Sequence, residues 1–265
     1  MAEALAGVEA QVRSQPGQVR HRILLFQLLL IQGQWTRAGK QLDVIRKLDD
    51  GALAMVHMYQ AAISCELLRE SVFRGEHDPV FMGQPQAWQA LLLQAFHLHN
   101  QGRHSEAAAL RDQAFEQAPA IPGVVDGTDF AWVADADMRL GPVLEMIVEG
   151  RYLWVAFDRL QQLVLEAPVD LRDLVWLPGY ARWQNGGESP VLVPARYPGS
   201  VVDNALALGR KTEWQEAAPG VWTGLGQKQL ATDVSDLPLL ELREMTLAVS
   251  EPETLTGVAG GHLGE

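Results

Sequence analysis

The sequence predicts a multidomain α+β chain, with helical hairpins at the front and an antiparallel, barrel-like, β-rich unit behind. Three observations lead there. Charge divides unevenly: residues 1–122 carry 12 acidic and 11 basic side chains, whereas residues 123–265 carry 21 and 10. Ten of the 14 prolines lie after residue 119, as do six of the eight tryptophans; proline interrupts helices and tryptophan favours strands. Finally, Pro16, Asp50, Pro85 and Pro119 recur at intervals of 34, 35 and 34 residues. The expected boundary falls at residues 119–123, giving units of 1–122 and 123–249. Residues 250–265 lack periodicity and read as a disordered tail.

The interval of about 34 residues, closed by proline, is that of tetratricopeptide repeats, in which two helices form each unit. Residues 20–31 read as a first helix, Gly33-Gln-Trp35-Thr-Arg-Ala38 as the turn, and Leu42, Ile45 and Leu48 as part of the second helix. Gly102-Arg-His104-Ser-Glu-Ala107 repeats that turn after a helix over residues 88–100. The first unit is represented only by its second helix, residues 2–14, so the array is expected to start on a half repeat. The middle unit is degenerate: residues 52–73 read as one long helix, and Asp78-Pro79 falls where its partner should be.

Stacked hairpins curve around a concave face. In a tetratricopeptide register Arg20, Ile23, Gln27, Leu30, Gln89, Leu92, Phe96 and Asn100 line it, and such a groove suits an amphipathic helix of a partner. The competing reading makes Ile23, Leu30, Leu92 and Phe96 ordinary core, since an i, i+3, i+4 apolar stripe marks a buried helix face.

Behind the boundary, Gly141-Pro142 through Gly150 reads as a helix with proline in its first turn and glycine past its end. Residues 152–157, 163–165, 182–183 and 191–193 read as strands, the last two joined by Asn185-Gly186-Gly187, a hairpin signal. Residues 170–175 and 201–208 read as short helices. Trp214 and residues 221–222, 229–231, 239–242 and 245–247 complete a run of short β segments. This spacing, without alternating long helices, points to an antiparallel unit.

Composition bounds the function. With 48% hydrophobic and 20% charged residues the chain can build a core, which excludes wholesale disorder. A net charge of -12 argues against general nucleic-acid binding. The single cysteine, Cys65, excludes a disulfide framework and a Cys-rich zinc module, and fits a cytoplasmic protein. The longest apolar run, residues 23–31, is far below the ~20 residues of a membrane span, and the start lacks the pattern of an export signal.

Chemical motifs are few, and no cofactor or metal is expected. Residues 208–212 lack the glycines and the Gly-Lys pair of a phosphate loop, and Gly224-Leu-Gly226 reads as a turn or bulge. Asp135 and Asp137 could hold a divalent cation, but fit better as an acidic loop ahead of a helix. His97 and His99 face different directions on a helix, and no other ligand type joins them. Cys65 reads as buried packing. The acid-rich run Asp126, Asp129, Asp135, Asp137, Glu145 and Glu149 reads as a solvated face able to steer a basic partner. Neither G-x-S-x-G nor H-E-x-x-H occurs.

Several phrases together resemble one family. Phe130-Ala-Trp-Val-Ala-Asp-Ala-Asp-Met-Arg-Leu-Gly-Pro-Val-Leu-Glu145 is similar to the hallmark segment of the ImpE family, also called TagJ. So are Asp170-Leu-Arg-Asp-Leu-Val-Trp176, Asn185-Gly-Gly-Glu188, Arg196-Tyr-Pro-Gly-Ser200, Thr212-Glu-Trp214, Gly224-Leu-Gly-Gln227 and Leu230-Ala-Thr-Asp233. At the front, Gly33-Gln-Trp35 and Asp126-Gly127 match as well. The resemblance implies a tetratricopeptide-like front, an α+β back, and a non-catalytic accessory role in bacterial type VI secretion. It also implies association with the small sheath subunit TssB and an influence on sheath assembly or on recycling by the ClpV ATPase. It supplies no catalytic residues. Two other readings stand beside it: an enzyme with a site in the tryptophan-rich back part, and a chaperone binding many amphipathic helices.

Overall fold

The computed structural model describes residues 1–249; the tail expected over residues 250–265 lies outside the described residues. Six helices come first: α1 (Ala2–Ser14), α2 (Val19–Ile31), α3 (Trp35–Leu48), α4 (Leu53–Phe73), α5 (Ala87–Asn100) and α6 (His104–Gln117). The hairpins α2–α3 and α5–α6 turn at Gly33 and Gly102, both at positive φ, where only glycine is free of strain. In the α2–α3 hairpin Ala38, Leu42 and Ile45 are fully buried, as the apolar spacing of α3 requires.

A uniform tetratricopeptide array does not form. α4 has no hairpin partner, and residues 74–86 contain no helix. That connection reaches the sheet instead: the Met82 amide donates to the Trp154 carbonyl at 3.0 Å, and the Trp154 amide donates to the Val80 carbonyl at 2.9 Å.

The strands are β1 (Gly123–Val125), β2 (Thr128–Phe130), β3 (Val133–Asp135), β4 (Val143–Val148), β5 (Arg151–Ala156) and β6 (Leu160–Leu165), then β7 (Trp176–Trp183) and β8 (Glu188–Pro194). A four-residue helix, α7 (Asn204–Ala207), precedes β9 (Thr212–Ala218), β10 (Val221–Gly226), β11 (Gln229–Thr232), β12 (Asp236–Pro238) and β13 (Glu244–Leu247). The main sheet has eight strands in the order β2-β1-β13-β6-β7-β8-β4-β5, with antiparallel pairing throughout. The expected barrel is not closed, because β2 and β5 remain its two edges. The backbone bonds from Val80 and Met82 cover the β5 edge, which removes a template for unwanted pairing. β12, β11 and β3 make a second sheet, and β9 and β10 a two-stranded ribbon.

The segment expected to be a helix over residues 141–150 is strand β4 and its turn. Glu149 and Gly150 have φ of 51° and 73°, and Val148 pairs with Arg151; this is the two-residue primed turn that matches strand twist. The apolar run in β4 supports a strand buried on both faces, so the Pro and Gly that flank it punctuate a hairpin rather than a helix. Two smaller differences follow the same logic. Residues 239–242 form a turn after β12. Gly224 and Gly226 lie within β10, where a side chain at Gly224 would sit 2.3 Å from the Tyr197 ring.

Side chains on β4 alternate, as the pleat dictates. Val143 and Ile147 face the helices and join Phe26, Leu30, Ile45, Tyr59, Phe96, Trp154 and Trp176 in one core. Leu144, Met146 and Val148 face the other way, into a core with Leu177, Val193 and Met245. The first core is therefore common to the helices and the sheet.

Arg196 joins the two parts as well. Its guanidinium donates to the Leu30 carbonyl at 2.8 Å, the Ile31 carbonyl at 2.9 Å and the Ala207 carbonyl at 2.5 Å. Leu30 and Ile31 end α2, where carbonyls run out of helical donors; the Leu30 carbonyl also accepts the Gly33 amide at 3.0 Å. Burial lowers the Arg196 pKa to about 10, which leaves it charged at neutral pH. Arg196→Met is expected to cost about 1–3 kcal/mol, the scale of buried acceptors left without donors. Chemical denaturation would measure it, and a loss within error of zero would contradict the capping role.

Candidate functional site

The structure fills the hollow that the helical register suggested. Gln27, Leu30, Gln89, Leu92 and Phe96 are all buried; Ile23 is half-buried, and Arg20 and Asn100 lie at the surface. Tryptophans of the back part pack against the helices instead. Phe96 meets Trp154 edge-on at 5.2 Å between ring centres, and Trp176 lies 5.8 Å from Trp35 and 6.1 Å from Tyr59. The Gln89 side chain accepts from the Gln86 amide at 3.0 Å and caps its own helix. Gln27, Leu30, Gln89, Leu92 and Phe96 are therefore core in the folded chain, while Arg20 and Asn100 remain open to solvent.

Beneath that core lies a buried network of charges. The Arg69 guanidinium on α4 donates to both oxygens of Glu145 on β4, at 2.7 and 2.9 Å, and to Glu66 at 2.9 Å. The Lys228 ammonium reaches Asp135 at 2.6 Å and Glu145 at 3.0 Å. Arg139 grips Asp137 through Nε at 2.9 Å and Nη2 at 2.5 Å. Neutral donors complete the set: Trp176 Nε1 to Glu66 at 2.9 Å, the Tyr152 hydroxyl to Glu145 at 2.5 Å, and the Tyr197 hydroxyl to Asp135 at 2.9 Å. Asp135, Asp137 and Glu145 are thus not a solvated acidic face or a loop ahead of a helix; they are buried carboxylates held by cations.

Their protonation follows from this geometry. Burial alone would raise the Glu145 carboxyl, but Arg69 and Lys228 outweigh it and hold it well below the usual range. For Asp137 burial likewise opposes ionisation, and the charge and hydrogen bonds of Arg139 again win. Asp135 goes the other way: burial, aided by the charge of Asp137, raises it to about 6 despite Lys228. Such pairs perturb titration strongly in structural networks as well as in catalytic sites.

His99 gives this region a pH signature. Its ring lies 5.1 Å from that of His104. Burial, then the charges of Arg139 and His104, lower it to about 4, while Asp137 opposes and Arg111 adds a little. A histidine lowered on folding contributes stability that is present above its ordinary value and is lost as pH falls from about 6.5 towards about 4. Asp135, raised on folding, contributes in the opposite sense between its ordinary value and about 6. His99→Gln removes only the first effect. The melting temperature of the variant relative to the parent is expected to rise as pH falls from neutral to about 4, and parallel melting curves would contradict the assignment.

An open cleft lies elsewhere on the molecule. A cleft of about 580 Å³ runs between α4, the loop before β7, and the β4–β8–β7 part of the sheet. Its apolar surface comes from Met58, Tyr59, Ile147, Val169, Pro178 and Leu192. Met58 is 46% exposed and Val169 90%, so apolar side chains stand at its lip. Four carboxylates, Glu149, Glu166, Asp170 and Asp173, border it with one cation, Arg172. Arg172 pairs with Asp170, lies 4.0 Å from Asp173 and stacks 5.0 Å above the Tyr59 ring. Asp173 also accepts the amides of Val169 and Asp170, at 2.9 and 2.8 Å, which fixes the loop. Burial chiefly, with Arg172 opposing, pushes the Tyr59 hydroxyl up to about 12. Glu149 owes its place at the rim to the primed turn after β4.

Comparison with known proteins decides the family. A model described as ImpE protein matches residues 127–246. The type VI secretion system accessory component TagJ of Pseudomonas aeruginosa is 51% identical over 245 residues, covering 92% of this chain and 86% of that protein. The chain belongs to the ImpE family. The crystal structure of protein VPA1032 from Vibrio parahaemolyticus shares the fold of this ImpE chain, with a TM-score of 0.85 at 24% identity, covering 93% of each chain.

The motifs that carry the family resemblance include four of the seven charged side chains of the buried network: Asp135, Asp137, Arg139 and Glu145 lie in one phrase. Glu66, Arg69 and Lys228 escaped sequence reasoning, as did the cleft. Glu66 and Arg69 stand three apart on a helix, the signature of an ordinary surface pair. Lys228 sits alone beside Gln227 and Gln229, with no local signal of burial.

Proposed function

We propose that this ImpE-family chain is a non-catalytic accessory protein of type VI secretion that acts in the cytoplasm by binding the sheath small subunit TssB. Through that contact it influences sheath assembly or ClpV-dependent recycling. The observation that carries the reading is the cleft: apolar side chains, Met58 and Val169 at its lip among them, stand open to solvent with carboxylates around them. An apolar patch with a polar rim is the usual form of a protein interaction site. The buried carboxylates fit this reading, since their oxygens are engaged by Arg69, Lys228 and Arg139. No helix among the described residues is long and apolar enough to cross a membrane.

Calorimetric titration of the full chain with folded TssB tests the proposal. Saturable binding with a Kd at or below the micromolar range is the expected result. No heat of binding at micromolar concentrations, with both proteins folded, would contradict it.

A further inference from the structure

The ribbon of β9 and β10 has one covered edge and one open edge. On the covered side, the Gly224 amide donates to Asp137 at 2.9 Å and the Gly226 amide to the Ser200 hydroxyl at 2.7 Å. The Trp222 carbonyl there accepts the Met138 amide at 3.1 Å. Trp222, Gly224 and Gly226 thus turn their backbone groups away from β9. Opposed residues of an antiparallel ladder either bond each other or both turn outward. Their partners Glu216, Trp214 and Thr212 therefore turn theirs away from β10. Three amides and three carbonyls leave β9 on its far side, and among the described residues β9 pairs with no strand but β10.

This far side is open to solvent. Glu213, Trp214, Gln215 and Glu216 are all exposed. Successive residues of a strand face opposite ways, so both faces are open here along with the edge. β9 contains no proline or lysine, and the bulge of the ribbon lies at its turn end, between Val221 and Trp222. Those are the devices that usually blunt an edge, and without them an edge is a template for one more strand.

The two charges of β9, Glu213 and Glu216, choose among the ways in which it can pair antiparallel with a second β9. A two-fold axis at Glu213 or at Glu216 sets carboxylate against carboxylate, which is destabilising. An axis at Gln215 sets Thr212 against Ala218, beyond the bulge. An axis at Trp214 sets Thr212 against Glu216, Glu213 against Gln215, and Trp214 against itself. All six outward groups then find partners, no like charges meet, and an aromatic side chain stands opposite an aromatic side chain.

We infer that β9 is a homodimerisation edge: two copies of this chain join β9 to β9 across a two-fold axis at Trp214, which makes one four-stranded antiparallel sheet of the two ribbons. The contact is isologous and closes on itself. β9 shares no residue with the cleft, so the inference stands apart from the binding role proposed above. Seven residues a side is well below the roughly 20–30 of a standard interface, so the dimer is expected to dissociate in the micromolar range.

Sedimentation velocity of the full chain from about 1 to about 100 μM tests this, with passage from monomer to dimer as the expected result. Gln215 is exposed, and its side chain makes no hydrogen bond among the described residues, so substitutions there keep the fold. Gln215→Glu, set against Glu213 of the other copy, is expected to weaken the dimer at least about threefold, and Gln215→Lys to strengthen it by a similar factor. Trp214→Lys sets two ammonium groups against each other and is expected to leave a monomer. The register is read by mixing Glu213→Cys with Gln215→Cys under mild oxidation. Facing residues of this kind stand about 4.5 Å apart between Cα atoms, within reach of a disulfide. The mixed disulfide is expected to form, and neither variant to cross-link with itself; the native Cys65 is buried. A chain that stays monomeric throughout the series, or a dimer that Trp214→Lys and Gln215→Glu leave intact, would overturn the inference. Cross-linking of Glu213→Cys with itself in preference to the mixture would overturn it as well.

Discussion

Arg69→Met is expected to lower the unfolding free energy by about 3–5 kcal/mol, the scale for breaking one side of a buried ion pair. The reason is asymmetry. The Arg69 and Glu145 side chains are 3% and 0% exposed, so neither reaches water. Removing Arg69 leaves Glu145 with Lys228 and Tyr152, and leaves Glu66 with Trp176. It also removes a donor to the Arg196 carbonyl, at 3.0 Å in the parent. The sign of its pH dependence follows from Glu145. Because folding lowers that carboxyl, it contributes stability that is present above the ordinary carboxylate range and is lost as pH falls through its folded value. Without Arg69 the lowering is smaller, so the gap between parent and variant narrows in acid. Urea titrations at neutral pH and at about pH 4 would show both effects. A gap that widened in acid would contradict this account.

Trp154→Ala is expected to cost about 3–5 kcal/mol, as for large aromatic deletions in a core. Trp154 is completely buried, with Phe73, Phe81 and Phe96 around it at ring-centre distances of 6.3, 5.6 and 5.2 Å. Its indole Nε1 donates to the Tyr152 hydroxyl at 2.8 Å, which in turn donates to Glu145. The loss therefore reaches helices, sheet and charge network together. Because the first core is shared, far-ultraviolet circular dichroism and tryptophan fluorescence should report a single transition in the parent and in the variant. Separate melting of residues 1–122 and 123–249 would show that the shared core does not bind the two parts into one cooperative unit.

The helices were legible because their signals are local. Gly33 and Gly102 end α2 and α5 at the positions the repeat spacing indicates, and Asn185-Gly186 turns β7 into β8. The strand β4 was not, because Pro142 and Gly150 flank it with the punctuation of a helix while its apolar run fits either state. What covers the apolar faces of the helices is not legible for a different reason. Leu92 and Phe96 have the spacing of a face that must be covered, and local sequence cannot say by what; Trp154 covers them from well along the chain. The same holds for Lys228, whose partners Asp135 and Glu145 are distant in sequence. The acids of the candidate cleft, Glu149, Glu166, Asp170 and Asp173, come from two loops that only the sheet topology brings together.

Hydrogen exchange of the full chain, alone and saturated with TssB, tests the account most directly, since exposed loops exchange readily until they are covered. Slower exchange is predicted over residues 149–150 and 166–173, the loops that border the cleft. Protection confined to residues 20–30 and 89–100, with the cleft unchanged, would place the partner on the helical face and contradict the account.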